Sequence, residues 1–255
     1  MRSRLRAGGV VFGSEINRLR SHDVARVYAA AGFDFVFIDM EHSAFSLETV
    51  ADMIETARRF GLSPIVRVPQ AEYAFISRVL DCGARGIIVP RVNTPQQVRD
   101  IASWVRYPPR GIRGFADTLA QTDGRRIPPS EFIAAAERDT LVVIQIERQE
   151  AVGNLDAMLS IEGIDVACLG CLDLSVDLGI PGELSAPAMI AAIQKVVDVA
   201  ARNQLASGII TGDIELIAHW LRRGVRFVSY SSDIPLLQSA ATAAAARLRA
   251  LAGSK

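Results

Sequence analysis

Eight short runs rich in β-branched and aromatic residues alternate along the chain with longer segments of helical period. The runs cover residues 9–12, 35–39, 64–68, 86–90, 141–146, 166–169, 206–210 and 226–230. This alternation is typical of a parallel sheet covered by helices. Eight such units in 255 residues predict one closed (β/α)₈ barrel, a TIM barrel, that takes up residues 1–255 as a single domain.

Helices are predicted between the runs, over residues 23–31, 47–60, 73–82, 95–105, 150–159, 187–203, 214–223 and 234–252. The stretch from Arg106 to about Ile127 shows neither helical nor strand periodicity, which predicts an irregular loop. Loops of this length are usually functional or contact a neighbour. The last helix is apolar over two faces, which predicts packing against another subunit, although a solvated Ala-rich helix is the alternative.

Charge and cysteine content narrow the class of partner. Lys plus Arg equals Asp plus Glu at 28 each, so no net positive field favours nucleic acid or anionic lipid. No apolar run approaches the roughly 20 residues of a membrane span. The cysteines are Cys82, Cys168 and Cys171, an odd number without a signal-like start. We therefore expect a soluble cytoplasmic protein that binds small molecules and its own subunits.

Polar residues collect where several predicted strands end, which in a barrel is the catalytic face. The second run ends in Asp39 and is followed by His42, the third contains Arg67, and the fifth leads to Gln145 and Glu147. Asp173 follows the sixth run. Glu147 and Asp173 are candidate ligands for one hard divalent cation, Mg²⁺ or Mn²⁺, with water or substrate in its other positions. Two ordinary solvated or salt-bridged acids are the alternative.

Two further side chains suggest acid–base and electrostatic roles. His42, directly after a strand, is a candidate general base, although a lone histidine is often structural. Arg67 could stabilise negative charge developing on a substrate oxygen, or form an ion pair with Asp39 or Glu41, and these roles are compatible.

Lysine content excludes one rival mechanism. A Schiff-base aldolase needs a lysine in the barrel mouth. The chain has Lys195, in the middle of a predicted helix, and Lys255, its last residue. The pair Cys168 and Cys171 has redox or zinc spacing but no second pair, and a structural role in the core is favoured. No phosphate-binding glycine loop is present in the sequence.

Five motifs, in this order, resemble the HpcH/HpaI aldolase family. They are FDFVFIDMEH at 33–42, PIVR at 64–67, YPPRGIRG at 107–114, QIE at 145–147 and GCLDLS at 170–175. The resemblance extends from near the first strand to the last helix. It implies a class II pyruvate aldolase that cleaves a 4-hydroxy-2-oxo acid reversibly into pyruvate, or a close 2-oxo acid, and an aldehyde.

The resemblance also implies roles for single residues. Glu147 and Asp173 hold Mg²⁺, Mn²⁺ or Co²⁺, which chelates the 2-oxo acid, and Arg67 steadies the enolate oxygen. His42 removes the proton of the 4-hydroxyl through water, and Asp81 orients this histidine. Gln145 and the backbone at Leu172 match substrate-binding positions, and Asp39 completes the catalytic set. Family members are typically hexamers, trimers of dimers, whose last helix is exchanged between subunits.

Three departures from the family pattern leave other reactions open. Cys171 and Leu172 replace the usual Pro and small residue before the aspartate, and Arg113–Ala116 and 121–125 differ in the loop at the acceptor end. Decarboxylation of an oxaloacetate-like acid and specialised carbon–carbon bond formation are therefore enzymatic alternatives. A non-catalytic binding barrel is the third alternative.

Overall fold

A closed barrel of parallel strands forms the centre of the computed structural model, which describes residues 1–116 and 119–253. The strands pair in chain order, β1 with β2 through to β8, and β8 closes the barrel on β1. Their bounds are β1 Val11–Ile16, β2 Phe35–Asp39, β3 Ser63–Arg67, β4 Gly86–Val89, β5 Leu141–Ile146, β6 Val166–Gly170, β7 Ala206–Thr211 and β8 Val225–Ser232. The predicted single-domain TIM barrel is confirmed.

Helices surround the barrel. Within the described residues they are α1 Arg2–Arg6, α2 Asp23–Ala30, α3 Leu47–Arg59, α4 Tyr73–Asp81, α5 Pro95–Val105, α6 Pro129–Asp139, α7 Gln149–Gly153, α8 Leu155–Leu159, α9 Cys171–Asp177, α10 Pro187–Arg202, α11 Ile214–Leu221 and α12 Asp233–Gly253. Helices α5 and α10 begin with proline, whose fixed φ suits the first helical position and whose missing N–H would have no partner there in any case. None of the helices in the described part of the chain has the length and apolar character needed to cross a bilayer.

Strand alternation separates two cores. Inward-facing side chains fill the barrel axis, including Val11, Phe37 and Cys168, all fully buried. A larger cluster fills the space between strands and helices. Gly13 belongs to the inward set, because a Cβ there would collide with the ring of Phe35. At the carboxyl ends of β2, β3 and β5, the inward-facing side chains are polar: Asp39, Arg67 and Gln145. These polar residues form the floor of the barrel mouth and lie directly on the packed apolar interior.

Besides helices α1 and α9, which the sequence analysis did not predict, three details differ from the sequence prediction. The first strand is Val11–Ile16 rather than 9–12, because the polar segment 13–15 continues the ladder to β2. Helix α6, which the sequence analysis did not predict, lies directly after the stretch predicted as irregular, whose described residues form a loop with a short 3₁₀ turn. The helix predicted over 150–159 is two helices, which meet at Asn154. Residues 117 and 118, within the stretch predicted as irregular, lie outside the described residues.

Helix α12 leaves apolar side chains uncovered in the single chain. Ile234, Leu237, Leu248 and Leu251 are exposed, although the helix starts against β1 and β8. The expected subunit contact and the exchange of the helix between subunits both stay predictions. Lys255, excluded above as a Schiff-base lysine, lies outside the described residues, and Lys195 donates from α10 to the Val152 carbonyl oxygen, 2.7 Å away.

Candidate active site

The residues predicted from strand ends meet at one mouth of the barrel. Asp39 ends β2 and Arg67 ends β3, and the two residues are register partners. Gln145 lies on β5, and Glu147 follows it on the same face. Asp173 lies in the first turn of α9, directly after β6. The structure therefore brings these five positions to the carboxyl end of the sheet, where TIM-barrel enzymes hold their catalytic groups.

Arg67 is the centre of a bonded network on the β1–β3 side. Its Nε donates to Asp39 Oδ1 at 2.8 Å, and its Nη2 to Glu15 Oε1 at 3.3 Å. A longer contact of 3.5 Å joins Nη1 to the Gln145 amide oxygen. The guanidinium carbon lies 5.0 Å from the ring centroid of Phe37, a cation–π contact. The planar fork of arginine is thus fixed on several sides before any substrate arrives.

Asp39 is the ionised acid of this network. It is fully buried, and its carboxylate accepts from the backbone N–H groups of Glu41 at 2.9 Å and His42 at 3.1 Å. Burial alone would raise the pKa of Asp39, but the hydrogen bond and charge of Arg67, with the two N–H groups, hold it below the usual value. Asp39 therefore fixes both Arg67 and the backbone that carries His42.

Glu147 occupies a closely fitted cradle on the β5–β6 side. Its Oε1 accepts from the backbone N–H of Arg91 at 2.7 Å, and its Oε2 accepts a short bond from Gln145. Gly170 forms the wall, because a Cβ there would lie 2.5 Å from Glu147 Oε2 and 2.6 Å from Gln145 Nε2. A larger residue at this position would displace the ends of both side chains.

The charges around Glu147 fit a divalent cation. Burial, with smaller contributions from the negative charges of Glu41 and Asp173, raises the pKa of Glu147 to about 7, against the hydrogen bond from the Arg91 N–H and the charge of Arg67. Glu41 Oε2 is buried and, among the described residues, accepts no hydrogen bond. Glu41 is paired with Arg91 and Arg67, whereas Glu147 and Asp173 form no ion pair among the described residues, so a hard cation could neutralise these two carboxylates. Glu147 is buried, whereas Asp173 is exposed.

Protein side chains alone do not enclose such an ion. In residues 1–116 and 119–253, no group of three His, Cys, Asp or Glu side chains is arranged as a metal site. Glu147 and Asp173 fit a site in which substrate or water completes the coordination shell.

His42 lies on the rim beside Glu41 and Arg91. The imidazole is 51% exposed, and its Nε2 lies 3.7 Å from Glu41 Oε2. Arg91, whose backbone adopts a left-handed φ of 53°, forms an ion pair of 2.7 Å with Glu41 Oε1. A base at this position is open to substrate and solvent.

Asp81 lies away from the mouth. It ends α4, which runs from the carboxyl end of β3 back towards the amino end of β4. Nine residues of helix span about 13 Å. Asp81 accepts from Arg113 Nη2 at 2.8 Å and from Gln121 at 3.3 Å. Within one chain, His42 and Asp81 are therefore at opposite ends of the barrel, and their predicted pairing requires a second copy.

Comparison with known proteins places this site in a family. The family model described as HpcH/HpaI aldolase/citrate lyase matches residues 18–240. The chain belongs to the HpcH/HpaI aldolase/citrate lyase family. It is 35% identical to the 4-hydroxy-2-oxo-heptane-1,7-dioate aldolase of Salmonella arizonae, over 96% of this chain and 93% of the relative.

Solved structures agree with this assignment. An HpcH/HpaI aldolase from Desulfitobacterium hafniense superposes with a TM-score of 0.92 and 30% identity, over 98% of this chain and 96% of that one. The citrate synthase SbnG superposes at 0.89 with 31% identity, over 100% and 99%. Membership in the HpcH/HpaI family and the aldolase relatives identify the chain as an enzyme, a carbon–carbon lyase, and overturn the binding-barrel alternative.

The sequence analysis of this HpcH/HpaI member missed three mouth residues. Glu15 lay beyond the predicted end of the first strand, and Arg91 contributes a backbone N–H that leaves no side-chain signal. Glu41 was considered only as an ion-pair partner of Arg67, which it is at 3.3 Å, yet it also adds charge beside Glu147. A check of every inward position on β1 would have found Glu15.

Proposed function

We propose that the chain catalyses reversible, divalent-metal-dependent cleavage of a 4-hydroxy-2-oxo acid into pyruvate, or a close 2-oxo acid, and an aldehyde. The observation that carries the proposal is the electrostatic contact of Glu147 with Asp173 in the same mouth as a preorganised Arg67. The family match and the aldolase names of relatives support the reaction class.

Glu147 and Asp173 would hold the cation, Mg²⁺ or Mn²⁺, with Co²⁺ as a further candidate. Bound there, it would supply Lewis acidity to the carboxylate and 2-oxo oxygen of the substrate. Gln145 and the Arg91 N–H position Glu147, so the carboxylate is oriented in advance.

Arg67 would stabilise negative charge on the substrate oxygen as the carbon–carbon bond breaks. Preorganised donors in a site of low dielectric are most effective for this purpose, because they need no reorientation during the reaction. The long contact from Nη1 to Gln145 is the bond that Arg67 can most easily exchange for a substrate oxygen.

His42 would remove the proton of the 4-hydroxyl group, through water, and return it in the reverse direction. Its half-exposed position on the rim suits a proton exchanged with solvent. Asp81 would orient the histidine of a neighbouring subunit, in a hexamer built as a trimer of dimers with exchanged C-terminal helices.

The acceptor end of the pocket would set the aldehyde. The backbone at Leu172 would contact the 2-oxo acid, while its side chain, 67% exposed beside Asp173, forms an apolar lip. This lip favours an acceptor with an aliphatic portion.

Pyruvate release from a panel of 4-hydroxy-2-oxo acids, before and after treatment with EDTA, tests the proposal. We expect activity to disappear on chelation and to return when Mg²⁺ or Mn²⁺ is added. Cleavage that is indifferent to chelation would contradict the role of the metal. Glu147→Ala, checked for folding by circular dichroism, should lose both metal binding and turnover.

Carbon–carbon bond formation from the same enolising site is the second candidate. It is favoured by the 31% identity to a citrate synthase over the whole chain and by the bulkier Leu172. Decarboxylation of an oxaloacetate-like acid would use the same groups. Incubation with pyruvate plus aldehydes, and separately with oxaloacetate, distinguishes these reactions by their products.

A further inference from the structure

Glu15 is an inward-facing carboxyl group of the mouth to which no role has yet been assigned. On β1 the alternation that turns Val11 and Gly13 into the barrel also turns Glu15 inward. Its side chain is only 13% exposed. A buried carboxyl in the polar floor is costly unless it serves the charge balance of the site.

Three charged or titratable groups from other elements face Glu15. Arg67 of β3 donates from Nη2 at 3.3 Å. Asp39 of β2 lies within side-chain hydrogen-bonding reach, and Tyr28 of α2 donates to the Glu15 main-chain oxygen at 3.0 Å. Asn17, just after the end of β1, lowers the pKa of the Glu15 carboxyl.

Between the two neighbouring acids, Asp39 holds the negative charge. It has three N–H donors, Arg67 Nε and two backbone groups, whereas Glu15 has the longer arginine contact. Burial, with a smaller contribution from Asp39, raises the pKa of Glu15 to about 7 against the charge of Arg67. Adjacent carboxyls in this arrangement share one proton below neutral pH, and both are ionised only above it, at an electrostatic cost.

We propose that Glu15 is a positioning residue that takes up one proton from solvent when an anionic 2-oxo acid binds, and so leaves the charge of Arg67 to the substrate. The proposal rests on the proposed function, because it needs a substrate anion beside Arg67. The proton comes from bulk water and adds to the Glu15 carboxylate, and no bond of the substrate changes in this step.

The proton linkage predicts a specific pH dependence of binding. Below neutral pH, Glu15 already carries its proton and binding needs none. Above neutral pH the free enzyme must take up a proton, so apparent affinity falls by up to about tenfold per pH unit. Glu15→Gln imitates the protonated form and should remove this dependence.

Isothermal titration calorimetry of oxalate binding to the metal-loaded enzyme tests the proposal. Oxalate is a planar dianion that resembles the enolate of pyruvate. Titrations at pH 8 in buffers of different ionisation enthalpy give the number of protons taken up. We expect close to one in the wild type, none in Glu15→Gln, and about tenfold tighter oxalate binding by that variant at pH 8. Glu48→Gln, an equivalent change on exposed α3, should behave as the wild type.

The wild type alone provides a second measurement. Proton uptake should be near zero at pH 5.5 and increase through neutral pH. Uptake that does not vary with pH, or that is equal in Glu15→Gln and wild type, would overturn the role of Glu15. Oxalate binding that needs no metal contradicts the proposed function but leaves the Glu15 result interpretable. No oxalate binding by the metal-loaded enzyme overturns both.

Discussion

The two sides of the barrel mouth solve the problem of buried charge in opposite ways. On the β1–β3 side, Arg67 neutralises Asp39 through a direct 2.8 Å bond, and backbone N–H groups satisfy the remaining acceptors. On the β5–β6 side, the buried Glu147 carboxyl has the negative charge of Asp173 nearby and, among the described residues, forms no ion pair; it is held by the Gln145 amide and the Arg91 N–H, with Arg67 acting only through its charge.

This difference assigns separate tasks to the two sides. The β1–β3 side is already assembled, so its residues should contribute to folding as well as to catalysis. The β5–β6 side carries repulsion in the free protein, which metal binding would relieve. Substitutions there should cost activity and metal affinity but little stability.

Glu147→Gln should have the largest effect on activity. It removes one proposed metal ligand, and losing several kcal/mol of Lewis-acid stabilisation corresponds to about a 10³-fold lower kcat/KM. The melting temperature of the metal-free protein should not fall, because the change also removes repulsion. Steady-state kinetics and calorimetry measure the two effects. Glu150→Gln, an exposed acid on α7, is the matched control. A marked loss of stability in Glu147→Gln would break the contrast between the two sides.

Arg67→Met should reduce kcat by about 10²-fold to 10³-fold and also destabilise the fold. It leaves the buried Asp39 carboxylate without its cation, which costs about 3–5 kcal/mol in the free energy of unfolding. Urea denaturation measures the stability. Arg67→Met combined with Asp39→Asn should recover part of it without recovering kcat. Unchanged stability in the single variant would show that the network is not structural.

Gly170→Ala should weaken metal binding by about 10-fold to 100-fold, as displaced supporting contacts do at metal sites. The added Cβ would lie 2.5 Å from Glu147 Oε2, so the carboxylate must move. Titration with Mn²⁺ measures the affinity. Gly153→Ala, where a Cβ meets nothing within 4 Å, is the control and should bind metal normally. Equal affinities in the two variants would contradict the cradle.

Leu172→Ala should have the smallest effect, a shift in relative kcat/KM among acceptor aldehydes within about tenfold. The side chain is exposed and stabilises little, so the melting temperature should stay the same. A competition assay with short and long aldehydes measures the preference. Val27→Ala, exposed on α2 outside the mouth, should leave the preference unaltered.

Sequence periodicity predicted most of the barrel and those site residues that lie at the ends of strands. Asp39, Arg67 and Glu147 were predictable because they end apolar strands, and barrel geometry collects such ends in one place. Helix α6 was missed although Pro128 and Pro129 mark its start, a signal that the irregular loop before it obscured.

The rest depends on long-range contacts that local patterns do not encode. Gly13 suggests a loop in the sequence, although it lies inside β1. The position is occupied by glycine because the ring of Phe35 leaves no room for a side chain. Glu15 was lost with that strand end. Arg91 supports Glu147 through its main chain, and its position depends on the turn after β4. Asp81 was matched to a partner that lies at the other end of its own barrel.

Exchange of the pyruvate methyl protons in D₂O, followed by ¹H NMR, tests most directly the claim that Glu147 and Asp173 hold a metal that enolises a 2-oxo acid. We predict no exchange by the EDTA-treated enzyme, full exchange after addition of Mg²⁺ or Mn²⁺, and none by metal-supplemented Glu147→Gln. Exchange that persists after chelation, or in the folded Glu147→Gln variant, would contradict the account.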